Sequence, residues 1–268
     1  MSGAGERPLF IVGCGRSGTT LLYDILCCPP ELGWFSRYTN RWPALPQLAA
    51  LNRLYPAARR RGVTARAVPF PSEGHAVWDR IRPASLRTHN RPLAEADVAP
   101  GEAERAATVI ATHLRFHGRP RFVNKNTRNT VRIPYLKAMF PDCCFVHLIR
   151  DPAPAVASFL KIDWWPDLKV WCFDDRTPRQ WEAEGNRPET MAARLWREEV
   201  GLALTTGAAL PDSDYLEVRY ETLVAEPRRT VERVVEFAGL PWSAEFEALF
   251  ATFRVTDRNR ASTGLAPD

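Results

Sequence analysis

Apolar residues along this chain gather in four short runs, at 9–13 (LFIVG), 121–124 (RFVN), 143–149 (CCFVHLI) and 214–220 (DYLEVRY). Each has the length of a strand and reads as a buried one, and the intervals between them are long enough for helical crossovers. That alternation predicts a parallel sheet in an α/β domain. The helical period supports the same picture. Residues 20–27 place Leu21, Leu22, Ile25 and Leu26 on one face and stop at Pro29-Pro30, while 129–139 align Val131, Tyr135, Leu136 and Met139. Residues 190–210 and 227–238 read as two further helices, and no internal repeat or low-complexity tract interrupts the pattern.

Two segments depart from it. Residues 33–90 are rich in Trp, Arg and Pro, and residues 163–181 (DWWPDLKVWCFDDRTPRQW) hold four tryptophans in irregular sequence. Both are expected to be cap-like excursions over the carboxyl edge of the sheet, where open α/β folds bind ligands. The plainer reading of the tryptophans is a satellite hydrophobic cluster under long loops.

Bulk properties narrow the picture further. With 268 residues, 45% of them apolar and 25% charged, residues 1–268 are expected to form one globular domain. The net charge of +5 is too dispersed to indicate nucleic acid. Only Lys125, Lys137, Lys161 and Lys169 are lysines, so the positive charge is mostly guanidinium, which suits bidentate contacts with phosphate and sulfate oxygens. No apolar stretch approaches the roughly 20 residues of a membrane span, and the first residues lack a signal-peptide pattern, so a cytoplasmic protein is expected. The six cysteines, two pairs of them vicinal, have no metal-site spacing and are expected to be buried thiols.

The candidate chemistry begins after the first run. GCGRSGTT, residues 13–20, has Gly13 and Gly18 at the spacing of a phosphate loop, but the lysine position holds Thr19. A glycine turn leading into a helix still aims backbone N–H groups and the positive helix end at an anion. Arg16 supplies a guanidinium, and Ser17, Thr19 and Thr20 add hydroxyls. This set favours one 5′-phosphate bearing a second acidic group over a magnesium-chelated triphosphate. After the third run comes R-D-P-A-P-A-V-A-S, in which Asp151 suits an N-cap, Pro152 the first helical turn, and Arg150 and Ser158 a shared phosphate. A magnesium site would want a carboxylate closing that strand, and the strand ends in arginine instead.

R-S-G-T-T-L-L near the N-terminus, R-D-P with a helix serine halfway along, NKNTRNTVRIPYLKAMFPDCCFVHLIRDP at 124–152 and YLEVRYETLVAEP at 215–227 together resemble the sulfotransferases that use 3′-phosphoadenosine 5′-phosphosulfate, in their bacterial and tyrosylprotein branches. The resemblance covers residues 8–30 and 121–240, about half the chain. It implies a P-loop-like three-layer α/β/α fold with a central parallel sheet. It implies further that Gly15, Arg16, Ser17, Gly18, Thr19 and Thr20 hold the 5′-phosphosulfate, that Arg150 and Ser158 hold the 3′-phosphate, and that Tyr220 lies beside the adenosine. Lys125 matches a lysine near the transferring sulfonate. Arg258, Arg260 and Ser262, in TDRNRASTG, are a loose match to a basic stretch over the 3′-phosphate, from which the usual lysine-tryptophan pair is missing.

The implied reaction carries a sulfonyl group to a hydroxyl or amine of a small-molecule, carbohydrate or natural-product acceptor and needs no metal. Arg16 and Lys125 are the expected stabilisers of the leaving oxygen. The acceptor must also lose a proton. Where the tyrosylprotein branch has a glutamate after its first helix, this chain has WFSRYTNR, so the base is sought elsewhere: Glu73 first, then His75, with Asp163 third. Two rivals stand beside this reading. One is a kinase in which Thr20 and Asp151 hold magnesium; the other is an inactive nucleotide-binding protein.

Overall fold

The computed structural model describes residues 7–63, 68–82 and 91–257. Five strands form one parallel sheet: β1 (Leu9–Val12), β2 (Leu32–Gly33), β3 (Arg121–Lys125), β4 (Cys144–Ile149) and β5 (Tyr215–Arg219), in the spatial order β2-β3-β1-β4-β5. Leu9 pairs with Val123 on one side and Cys144 on the other, and Phe145 pairs with Tyr215. Four of these strands are the four apolar runs. The fifth, β2, is two residues long and has no run to reveal it.

The helices are α1 (Thr19–Leu26), α2 (Arg37–Arg41), α3 (Tyr55–Arg60), α4 (His75–Ile81), α5 (Glu102–His117), α6 (Ile133–Met139), α7 (Pro152–Phe159), α8 (Pro178–Ala183), α9 (Pro188–Gly207), α10 (Tyr220–Ala225), α11 (Pro227–Phe237) and α12 (Ala244–Phe250). The pattern at 129–139 is divided between a 3-10 turn, Thr127–Val131, and α6, because Pro134 has no N–H to continue the first helix and starts the second. The two excursions carry short helices of their own, α2 to α4 in the first and α8 in the second.

Both faces of the sheet are covered, as a parallel sheet requires. Alternate residues of β1 divide between the layers. Leu9 and Ile11 join Leu22, Ile25 and Val234, whereas Phe10 joins Trp78, Ile110 and Phe145. A third cluster lies beyond the strand ends, where Cys14, Ile149 and Phe159 meet Trp165, Phe173, Met191 and Leu195. Trp165 is buried there, Trp171 and Trp181 pack against it, and Trp164 alone of the four is 56% exposed. Three of the four tryptophans of the second excursion therefore belong to the satellite cluster. No described helix is long and apolar enough to cross a membrane.

Candidate functional site

Because the strands are parallel, the turns after β1, β3 and β4 open at one edge of the sheet. The turn after β1 is built around glycine. Gly13 has φ 154°, and a Cβ there would lie 2.4 Å from the Leu148 carbonyl oxygen. Gly18, with φ 83°, caps α1, and a Cβ on it would lie 2.5 Å from the Tyr220 ring. Arg16 also adopts positive φ, 69°, a conformation that costs a non-glycine residue energy and accumulates at ligand sites. Thr130 Oγ1 accepts the Gly13 N–H at 2.8 Å and fixes the loop from the β3 side.

Arg16 lies where the glycine loop meets the turn and helix that follow β4. Its Nε donates to Ser158 Oγ at 2.8 Å, and its carbonyl accepts from Arg150 Nη1 at 2.8 Å. The Arg150 guanidinium lies over the Tyr220 ring, 4.7 Å from its centroid. Asp151 Oδ1 accepts the Ala153 N–H at 2.9 Å, so its carboxylate is the cap of α7, as its sequence position predicts. Ser17 is buried, and its Oγ meets no hydrogen-bond partner among the described residues. A buried hydroxyl of that kind inside a glycine turn fits an anion's oxygen. Thr19 is buried beside it and Thr20 is exposed.

A second group of residues gathers at the end of β3. Lys125 Nζ donates to Glu73 Oε1 at 2.5 Å, and His75 Nε2 lies 3.2 Å from Glu73 Oε2. Burial alone would raise the Glu73 carboxyl, but the His75 hydrogen bond and the Lys125 charge outweigh it and hold the group down at about 2. Asn126 fixes the imidazole. Its Oδ1 accepts the Arg128 N–H at 3.0 Å, which turns Nδ2 toward His75 Nδ1 at 3.2 Å. With Nδ1 accepting, the ring proton resides on Nε2 and points at Glu73. Asn124 completes the frame by donating to the Glu73 carbonyl at 3.2 Å.

Between the loop and this triad lies a cavity of about 630 Å³, lined by Gly15, Glu73, His75, Phe159, Trp164 and Leu195 among others. Asp167 also lines it, but its carboxylate is paired with Arg179 at 2.9 Å. Asp163, the third candidate base, is exposed and does not line the cavity. Arg258, Arg260 and Ser262 lie outside the described residues. The sequence reading missed Asn124, Asn126 and Thr130, although NKNTRNT is an uninterrupted polar run at the end of a buried strand, which is the available signal for a site-lining turn. Among the described residues, no group of three or more His, Cys, Asp or Glu side chains is arranged to hold a metal ion.

Residues 8–244 match the sequence profile described as the sulfotransferase family. Among curated proteins, the chain is 24% identical to the omega-hydroxy-beta-dihydromenaquinone-9 sulfotransferase of Mycobacterium tuberculosis, over 93% of this chain and 66% of that one. It is 22% identical to protein-tyrosine sulfotransferase A of Caenorhabditis elegans, over 87% of this chain and 50% of that one. The chain thus spans less than two thirds of the length of these relatives. Among solved structures, sulfotransferase STF9 from Mycobacterium avium superposes with a TM-score of 0.62 at 19% identity, covering 92% of this chain and 67% of that one. The sulfotransferase domain from the curacin biosynthetic pathway gives a TM-score of 0.52 at 16% identity, covering 97% of this chain and 83% of that one.

Proposed function

The chain belongs to the sulfotransferase family, and from that premise we propose that it transfers a sulfonyl group from 3′-phosphoadenosine 5′-phosphosulfate to a hydroxyl or amine of a small-molecule, carbohydrate or natural-product acceptor. The observation that carries this reading is the pair of 2.8 Å hydrogen bonds by which Arg16 joins the glycine loop to Arg150 and Ser158. Two anion-binding features far apart in sequence thereby adjoin, as a nucleotide phosphorylated at both its 3′ and 5′ positions requires. In this reading the loop amides with Ser17, Thr19 and Thr20 take the 5′-phosphosulfate. Arg150 and Ser158 take the 3′-phosphate, and Tyr220 supports Arg150 from below.

During transfer a bond forms from the acceptor oxygen to sulfur while the bond from sulfur to the bridging phosphate oxygen breaks. The electron pair stays on that oxygen, and adenosine 3′,5′-bisphosphate leaves. Arg16 and Lys125 offset the charge that grows there. The acceptor proton goes to the Glu73 carboxylate, which lines the cavity. His75 holds Glu73 rather than taking the proton, because Asn126 occupies its accepting nitrogen. A carboxylate held at about 2 is a poor base while Lys125 stays on it. When Lys125 turns to the sulfonate, Glu73 loses that cation and its affinity for a proton rises, so that donor binding readies the base.

The relatives' names span a lipid quinone and protein tyrosine, and the cavity offers Trp164, Phe159 and Leu195 beside its polar end. These residues favour an acceptor with an apolar body and one reacting hydroxyl. The test is stabilisation against heat by adenosine 3′,5′-bisphosphate with EDTA present, followed by an acceptor screen with radiolabelled sulfonyl donor. Stabilisation by ATP that requires magnesium would replace the reading with the kinase. Bisphosphate binding without transfer to any acceptor would replace it with the inactive binding protein.

A further inference from the structure

Among the described residues six large hydrophobic side chains are strongly exposed, and five of them, Trp42, Leu45, Leu51, Leu54 and Val63, fall in one short stretch of the first excursion. The sixth, Trp164, belongs to the cavity. Leu51 and Leu54 owe their alignment to an unusual element, which Trp42 and Leu45 precede. Residues Pro46–Leu54 form a 3-10 helix of nine residues, where runs of three or four are the norm. In a 3-10 helix side chains three apart eclipse, whereas in an α-helix the same spacing would drift round the axis. The Leu45 N–H donates to the Trp42 carbonyl at 3.0 Å and the Leu48 N–H to the Leu45 carbonyl at 3.1 Å, so turns lead from Trp42 into the helix, although Trp42 and Leu45 do not themselves have 3-10 dihedrals. Leu48, Leu51 and Leu54 thus form one ridge, and the exposed Trp42 and Leu45 precede it in the chain. The row beside it, Ala49, Asn52 and Tyr55, is fully buried, and Asn52 Nδ2 donates to the Trp34 carbonyl at 2.9 Å. The helix is therefore anchored by one row and presents a second apolar row to solvent, with Leu54 56% and Leu51 38% exposed, and Trp42 before it is 47% exposed.

Charge selects what covers the ridge. From residue 32 to residue 72 the sequence holds seven arginines and no Asp or Glu. Among the described residues the one carboxylate within salt-bridge distance of these arginines is Glu245, 3.8 Å from Arg60, with both side chains about half exposed. An apolar segment of Trp and Leu set among arginines is the composition of a segment that lies in the headgroup region of an anionic bilayer. A second copy of the chain would bring arginines against arginines across a two-fold axis. A nucleic acid would engage the arginines and leave the leucines in water. We propose that the apolar Trp42–Leu54 segment and the exposed Arg41, Arg60 and Arg61 of the same excursion form a surface that docks on anionic lipid bilayers. The surface is joined to the cavity wall, because the Ala76 N–H at the start of α4 donates to Asn40 Oδ1 of α2 at 2.9 Å.

The experiment is co-sedimentation of the full chain with phosphatidylcholine vesicles, with and without phosphatidylglycerol. Binding to the anionic vesicles, weakened by salt, is expected, with little to the neutral ones. The double variant Leu51→Ser, Leu54→Ser is expected to lose about tenfold or more in vesicle affinity. Arg60→Gln with Arg61→Gln is expected to lose roughly fivefold to tenfold. All four side chains are exposed, so the melting temperatures of both variants should stay close to that of the parent; the single variant Leu54→Ser serves if the double one melts early. Absence of vesicle binding by the parent chain overturns the proposal, as does undiminished binding by the leucine variants. It is equally overturned if the ridge variants abolish a dimer, or the binding of a short RNA duplex, while leaving vesicle affinity intact.

Discussion

On the side of the cavity proposed for the donor, and unlike the side proposed for the acceptor, the assigned groups stand at or directly after strand ends. Arg16 comes three residues after the first glycine beyond β1, Lys125 closes β3, and Arg150 follows β4. On the acceptor side, Glu73 and His75 arrive at the end of a long excursion, and Trp164 comes from a second one that is otherwise packed into its own cluster. The difference teaches which residues a sheet positions by itself. A strand's register fixes the residue after it to within a turn, so the donor groups are placed by the core of the domain. The acceptor groups come from excursions that must fold back onto the sheet, where bonds from Asn124 in β3 and Asn126 directly after it hold them. The acceptor side is thus expected to tolerate change in packing and specificity, and the donor side to lose chemistry outright.

The strongest way to break this comparison is at Trp165, a fully buried side chain in the cluster beneath the second excursion, in ring contact with Phe159 at 5.2 Å. Trp165→Ala is expected to cost about 3–5 kcal/mol of stability, read from denaturant unfolding. A loss under 1 kcal/mol would mean that the excursion is not held by this cluster and that its tryptophans are free to form a wall. Next in size, Arg16→Ala and Lys125→Ala are each expected to lower turnover roughly 100-fold or more, by the removal of a group aimed at developing charge, and the exposed Arg16 can be removed with little change in unfolding midpoint. Turnover within a few-fold of the parent would remove either residue from the donor side.

The strands and the glycine loop were legible because their signals are local. Gly13 and Gly18 are demanded by close approaches to Leu148 and Tyr220, and their spacing stands in the sequence. Asp151 and Pro152 announce the start of α7 in the same way. What escaped is what depends on distant partners. The strand β2 is two residues long and exists because β3 offers it an edge. The helix α5, flanked by Gly101 and Gly118 as caps, was not read, although Ala106, Ile110 and Leu114 lie on one face. The 3-10 form of Pro46–Leu54 left no trace in an α-helical reading, since its period is three. Glu73 was named as a candidate base, but nothing near it in sequence foretold that Lys125, 52 residues away, would hold it.

That pairing yields a smaller effect, of pH. The Glu73 carboxyl is lowered from 4.5 to about 2 in the folded protein. A depressed carboxyl contributes stability that is complete above its unfolded value and is lost as pH falls toward the folded one. The stability difference between the parent and Glu73→Gln is therefore expected to shrink between pH 4.5 and 2, by about 1–3 kcal/mol. The same variant should lower turnover, and Lys125→Ala should move the acid limb of stability upward. A difference that stays flat with pH would separate Glu73 from Lys125 in solution.

The smallest expected effect lies at Trp164. Its neighbour Trp165 is buried, while Trp164 is 56% exposed and faces the cavity, so adjacent tryptophans are assigned opposite roles. Trp164→Ala removes no core contact, and its unfolding midpoint should match the parent's. What it removes is an aromatic face against which an acceptor's apolar body can pack, a loss expected to raise the acceptor KM about threefold. Turnover at saturating acceptor and the affinity for adenosine 3′,5′-bisphosphate should stay unchanged, because the donor groups belong to strand-end turns that Trp164 does not support. If the nucleotide affinity fell along with KM, the two sides of the cavity would share their supports, and the division between sheet-placed donor and excursion-placed acceptor would fail at its most exposed point.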